Sequence, residues 1–248
     1  MSDTAPVFLV DTVPSGTHVV LDGPEGRHAA AVRRLQPDEE LVIADGRGAA
    51  ALCVVETVQS KESLALRVVR SWTEPQPRPR IVLAQALIKG DRGELAVELA
   101  TETGVDAIVP WRAGRSIVKW EDGPRGAKAL ARWRSTVREA AKQSRRAWIP
   151  EVTEPATTRQ LVELVRKSAA AVVLDAAADT ALRDVVLPTT EGDLMLVVGP
   201  EGGISESELD TLRAAGAQVA RLGPTVLRAS TAAAAAIAAL GVLTPRWR

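Results

Sequence analysis

The sequence predicts an α/β protein with a mostly parallel sheet over residues 81–248, preceded by a small β-rich domain over residues 1–72. Three observations carry this. Residues 194–198 are an unbroken apolar run, as expected of a strand buried on both faces of a parallel sheet. The run ends in Gly199-Pro200-Glu201-Gly202-Gly203, and Ser205 with Glu208 three residues on is a capping box that opens a helix. Residues 219–231 repeat the arrangement: a short strand, Gly223-Pro224, then a helix beginning near Ser230 or Thr231. In the first 72 residues, by contrast, strand candidates follow one another with mostly turn residues between them.

From the N-terminus, the candidate strands are 7–10, 18–21, 40–44, 50–56 and 63–69, interrupted by one helix over 24–35. Gly46-Arg47-Gly48-Ala49-Ala50-Ala51 matches the dinucleotide-binding fingerprint in letters, but a strand follows it where that motif needs a helix. Asp45-Gly46 is therefore a hairpin turn. Glu74-Pro75-Gln76-Pro77-Arg78-Pro79 is a stiff connector and puts the domain boundary at 73–80. Beyond it come a strand at 81–87, a helix that Gly104 ends, and a strand at 107–110. A helix over 128–147 places Trp133, Val137 and Ala141 at i, i+4 and i+8, facing the core. A helix at 160–168, a buried strand at 171–176 and an alanine-dominated helix at 230–240 complete the chain.

Composition excludes several classes. One cysteine, Cys53, rules out an internal disulfide, and no spacing suits a metal. The N-terminus lacks a signal pattern, and the longest apolar run, 232–243, is too short to span a bilayer, so a cytoplasmic protein is expected. The net charge is zero but segregated: residues 112–146 hold eleven Lys/Arg against three acids, and 151–210 hold twelve acids against four bases. Arg134, Arg138, Lys142 and Arg145 line one helix face, where like charges oppose the helix and a phosphate backbone would offset them. Glu98 and Glu102 read as a solvated face. At the glycine-rich turn, Glu201, Glu206 and Glu208 crowd the helix start and no Gly-Lys-Ser/Thr follows, which disfavours a phosphate loop and favours a neutral or cationic ligand.

Gly199-Pro200-Glu201-Gly202-Gly203 followed by Leu222-Gly223, Val226-Leu227-Arg228 and Thr231-Ala232 resembles the closing motifs of SPOUT methyltransferases. In detail it is similar to the RsmE family, which methylates N3 of a uridine in 16S ribosomal RNA. His28-Ala29-Ala30-Ala31-Val32-Arg33-Arg34 with Ala44-Asp45-Gly46-Arg47-Gly48 is similar to that family's opening PUA-like β-barrel. Lys89-Gly90, Glu94, Thr101-Glu102-Thr103-Gly104-Val105, Arg115-Ser116, Glu139, Gln143, Arg146 and Pro150 keep the family's order. The resemblance implies a C-terminal SPOUT domain with a deep trefoil knot, homodimerisation, and S-adenosylmethionine bound in the knot loops. The implied cofactor residues are Leu174, Asp175, Gly199, Pro200, Glu201, Gly202, Gly203, Ile204, Leu222, Gly223, Val226, Leu227, Arg228 and Thr231. The RNA, 16S rRNA or the 30S subunit, would meet His28, Arg33, Arg34, Arg115, Arg134, Arg138, Lys142, Gln143, Arg145 and Arg146, with Arg115 or Arg146 serving the neighbour's site. Two departures stand out: Ala5-Pro6-Val7 where relatives carry an arginine before the first strand, and Ser230 where they carry a glutamate.

The chemistry assigns roles. Methyl transfer from a sulfonium is an in-line displacement, so positioning dominates. Uridine N3 must lose a proton, which needs a base or a group that stabilises the uridinate. Arg228 is the candidate stabiliser, and Glu201 the candidate base or orienting carboxylate, or simply a brace for the turn. Another SPOUT methylase, acting on ribose or transfer RNA, and a non-catalytic RNA-binding assembly factor are the alternative readings.

Overall fold

The computed structural model describes residues 5–188 and 191–247. The chain forms two compact units: one from residues up to 76 together with 141–149, the other from 77–140 and 150 onward.

In the first unit, β1 (Val7–Leu9), β2 (His18–Leu21), β3 (Glu40–Ala44), β4 (Ala49–Ser60) and β5 (Ser63–Thr73) form one sheet in the order β1-β3-β4-β5-β2. Only β1–β3 is parallel. Strand alternation sends Leu41, Ile43, Leu64 and Leu66 inward against Phe8, all essentially without solvent contact. The Asp45 turn closes the β3–β4 hairpin: its Oδ1 accepts the N–H groups of Arg47 at 2.7 Å and Ala49 at 3.1 Å, and Gly46 has φ +68°. The predicted helix is shorter than 24–35. It runs as α1 (Gly23–Arg27) into a π-helical turn (His28–Val32), where the N–H of Arg33 bonds to the carbonyl of His28.

In the second unit, β6 (Arg80–Ala86), β7 (Ala107–Arg112), β8 (Glu151–Val152), β9 (Ala156–Thr157), β10 (Ala170–Leu174), β11 (Asp193–Val198) and β12 (Gln218–Ala220) pair in parallel throughout. Their order is β12-β10-β11-β6-β7-β8, with β9 also on β7. α2 (Arg92–Glu102) and α6 (Ala229–Leu243) pack together, and α6 lies on β6 and β11; α4 (Thr158–Lys167) and α5 (Glu206–Ala214) pair with each other and contact β7 and β12 respectively. Ala233 and Ala236 of α6 are fully buried; their small side chains let the helix sit close to the strands. At the start of β6, Asp106 accepts the N–H of Ile81 and a 2.7 Å ion pair from Arg246, whose guanidinium also reaches the carbonyls of Pro79 and Gly104. This pair is almost wholly buried and ties the C-terminus to the first strand.

α3 (Pro124–Gln143) begins earlier and ends earlier than the predicted 128–147. Its end is a Schellman motif: the N–H of Arg146 bonds to the carbonyl of Ala141, that of Arg145 to Lys142, and Arg145 takes φ +55°. No glycine marks that position, so no stop signal is legible there. The same segment, 141–149, belongs to the first unit, whereas the sequence grouped it with the C-terminal domain.

Candidate active site

Parallel register brings three strand ends level. Leu174 pairs with Val198 on one side and Ala220 on the other, and Val198 pairs with Gln85. The loops that follow β10, β11 and β12 therefore leave the sheet side by side, at its carboxyl edge, where open α/β sheets bind ligands. They enclose a pocket of about 520 Å³, within the range of cofactor sites.

Each loop has its own fastening. After β10, the N–H of Asp175 bonds to the carbonyl of Ala220, and its Oδ1 accepts the N–H of Ala177 at 2.8 Å. After β11, Gly199 is required by packing: a Cβ there would lie 2.6 Å from Cγ1 of Ile204. Gly203 turns the chain with φ +70°. Arg115 donates to the carbonyls of Gly202 at 3.2 Å and Ile204 at 3.4 Å, and so grips the glycine-rich turn from outside. Glu201 Oε1 accepts the N–H of Lys89 at 3.1 Å, which joins this turn to the loop after β6.

Beneath the turn sits Glu208. The sequence marks it as half of the capping box with Ser205, and both reciprocal bonds form. It does more than cap. Its Oε1 accepts from the N–H of Gly114 at 2.8 Å and the hydroxyl of Thr158 at 2.9 Å, while Oε2 accepts from the N–H and hydroxyl of Ser205. Burial alone would raise its pKa, but the hydrogen bonds from Ser205, Gly114 and Thr158 outweigh that and hold it below the usual 4.5. This buried carboxylate, 8% exposed, connects the loop after β7 and the start of α4 to the glycine-rich turn.

Of the residues predicted to hold a cofactor, Leu174, Asp175, Gly199, Pro200, Glu201, Gly203, Ile204, Leu222, Gly223, Val226, Leu227 and Arg228 line the pocket. Gly202 and Thr231 do not; Gly202 faces Arg115, and Thr231 is exposed on the first turn of α6. Arg92 and Thr225 line it without having been singled out by the sequence. Among the described residues no three His, Cys, Asp or Glu side chains gather to hold a metal ion, and no helix is long and apolar enough to cross a membrane.

Residues 74–241 match the model of an RNA methyltransferase domain, and residues 21–69 that of an RNA methyltransferase PUA domain. Ribosomal RNA small subunit methyltransferase E of Mycobacterium tuberculosis is 52% identical, covering 98% of this chain and 94% of that protein. The chain belongs to the RsmE family. Its Bacillus subtilis relative is 30% identical over 92% of this chain and 91% of its own. The crystal structure of the Neisseria gonorrhoeae RsmE bound to S-adenosyl methionine superposes with a TM-score of 0.84 at 29% identity, covering 97% of this chain and 98% of that one.

Of the residues that the RsmE resemblance assigned to RNA, His28, Arg33, Lys142, Gln143 and Arg145 line one small pocket of the first unit. Arg115 lines the pocket of the second unit, and its guanidinium donates to the carbonyls of Gly202 and Ile204 in its own chain. Arg134 is tied to the carbonyl of Val152 and to Glu154. Lys142, expected on the cationic face, is buried, with Nζ 3.0 Å from both carboxylate oxygens of Glu25. The predicted row of four charges fails because it assumed one solvated helix face. The helix instead ends at Gln143, and its last turn is buried around Ala140, Ala141 and Lys142. Arg33, Arg34, Arg138, Gln143 and Arg145 are exposed, Arg146 is half-buried, and His28 stands edge-on to Phe8 with ring centroids 5.6 Å apart.

Proposed function

We propose that the protein transfers a methyl group from S-adenosylmethionine to N3 of a uridine in 16S ribosomal RNA, with the 30S subunit as substrate. The observation that carries this is the convergence of the loops after β10, β11 and β12 on one pocket with Arg228 in its wall. The lining suits the donor: Leu174, Val198, Ile204, Leu222 and Leu227 give apolar surface for a nucleoside, and the turns at Gly199 and Gly223 bring backbone groups within reach of its polar edge. The donor, when bound, supplies an electrophilic methyl. The chain's own contribution is placement and charge. Arg228 stabilises the negative charge that develops as N3 loses its proton. Glu201 orients the turn through its bond to Lys89, and this bracing role fits its geometry better than that of a base.

A trefoil knot is part of the proposal. β10 lies between β11 and β12, so the chain crosses over β10 after β11. At the end of β12, Arg221 bonds to Thr180 and Leu182 in the β10–β11 connection, and the chain then returns to lay α6 on β6 and β11. That route past its own earlier loop supports threading. Homodimerisation is proposed as well, because Val242, Leu243 and Trp247 leave apolar surface exposed around the end of α6.

The test is methylation of 30S subunits that lack the modification, with nucleoside analysis by mass spectrometry. 3-Methyluridine is the expected product. A ribose 2′-O-methyl product, or subunit binding without transfer, would overturn the assignment.

A further inference from the structure

We infer that Arg92 binds the carboxylate of the methyl donor's methionine tail, so that the loop after β6 joins the three loops already described; this rests on the methyl-transfer reading above. Strand register puts it there. Gln85, one residue before the end of β6, pairs with Val198 at the end of β11, so β6 leaves the sheet at the same carboxyl edge as β10, β11 and β12. The loop that follows is held to the glycine-rich turn by the bond from the N–H of Lys89 to Glu201. It then opens α2 at Arg92. The next residue, Gly93, is seated against Trp133, where a Cβ would lie 3.2 Å from the indole nitrogen. The start of the helix is fixed in this way, and Arg92 lines the pocket.

Charge selects the group it meets. The charged side chains of the lining are Arg92, Arg115, Arg228, Asp175 and Glu201. Arg115 is spent on the carbonyls of Gly202 and Ile204, and Arg228 serves the uridinate. Arg92 has no hydrogen-bond or ion-pair partner among the described residues, although Asp91 and Glu94 lie beside it in the chain. S-adenosylmethionine carries a sulfonium, an ammonium and one carboxylate. Two acids and one uncommitted guanidinium mirror that set of charges. The first turn of α2 acts in the same direction: Asp91 makes no side-chain cap, so backbone N–H groups remain open beside the guanidinium, at the positive end of the helix. A guanidinium also offers a carboxylate two parallel N–H donors, which a lysine cannot.

The experiment is calorimetry on the full chain, without RNA, using S-adenosylmethionine and its decarboxylated form, which lacks only the carboxylate. The parent should prefer the intact donor about tenfold, the scale of one charge-assisted contact at a partly exposed site. Arg92→Gln should weaken the intact donor by about the same factor and leave the decarboxylated one unchanged, so that the preference disappears. Arg92→Lys, which keeps the charge without the planar fork, should fall between the two. Arg92 is exposed, so the melting temperature of each variant should match the parent's. An Arg92→Gln protein that keeps the parental preference, or loses both donors equally, would overturn the inference while leaving the donor pocket intact. Unchanged donor affinity with a raised KM for 30S subunits would overturn it too, by giving the guanidinium to a phosphodiester of the target. A parent chain that binds neither form would instead sink the proposed function itself, and this inference with it.

Discussion

Replacing Glu208 by glutamine tests how the glycine-rich turn is held. The carboxylate accepts four hydrogen bonds, from Gly114 and Thr158 on one oxygen and from the N–H and hydroxyl of Ser205 on the other. Glutamine offers one acceptor oxygen and one NH2. A hydroxyl that meets the NH2 can rotate and accept from it, but a backbone N–H cannot. Whichever way the amide faces, the N–H of either Gly114 or Ser205 is left without a partner. An orphaned buried donor costs about 1–3 kcal/mol, and loss of the charge weakens the surviving bonds by roughly 1 kcal/mol more. The expected loss is about 2–4 kcal/mol, or roughly 5–15 °C in melting temperature for a chain of this size.

The pH dependence gives a second reading. The folded-state pKa of Glu208 lies below its ordinary 4.5, so between the two values the unfolded chain binds more protons. Its contribution is complete above the ordinary value and disappears as pH falls through the folded one. Denaturant unfolding from neutral pH downward should therefore show the two proteins converging in acid. Equal stability at neutral pH, or a gap that persists below the folded pKa, would refute this account of the turn.

Arg246→Ala removes the buried 2.7 Å ion pair with Asp106 and should cost about 3–5 kcal/mol in urea unfolding. Gly199→Ala drives a Cβ into Ile204 and should weaken S-adenosylmethionine binding about tenfold by calorimetry, as expected for overpacking a tight turn. Arg228→Ala should lower turnover about 10²–10³-fold with donor affinity nearly unchanged, since the lost charge acts only on the developing uridinate. Val242→Arg, at a position 70% exposed on α6, should convert the proposed dimer to monomer in analytical ultracentrifugation, with the melting transition of the monomer retained.

Local signals made much of this protein legible. The apolar run of β11, the capping box of α5, the Asp45 hairpin and the core stripe Trp133–Val137–Ala141 depend on near neighbours and on burial periodicity, and each formed as read. The glycine-rich turn and the residues around Gly223 were legible as a candidate site because glycine and proline at strand ends have few other uses, and most of them line the pocket. The end of α3 was not, because its left-handed residue is an arginine and the motif that holds it is made of backbone bonds.

The sequence by itself determined most of the strands and helices, the turns at Asp45 and Gly199, and the family to which the chain belongs. Only the tertiary structure decided what each charge is for. Arg115 and Lys142 look alike on paper, as cations in a basic stretch; in the fold one grips the carbonyls of the glycine-rich turn and the other is buried on Glu25. Glu208, apparently an ordinary cap, collects donors from residues 94 and 50 positions away. The reason is physical: a charged side chain takes its role from the partners and the solvent within a few ångströms of it, and those are set by contacts between segments far apart in the chain.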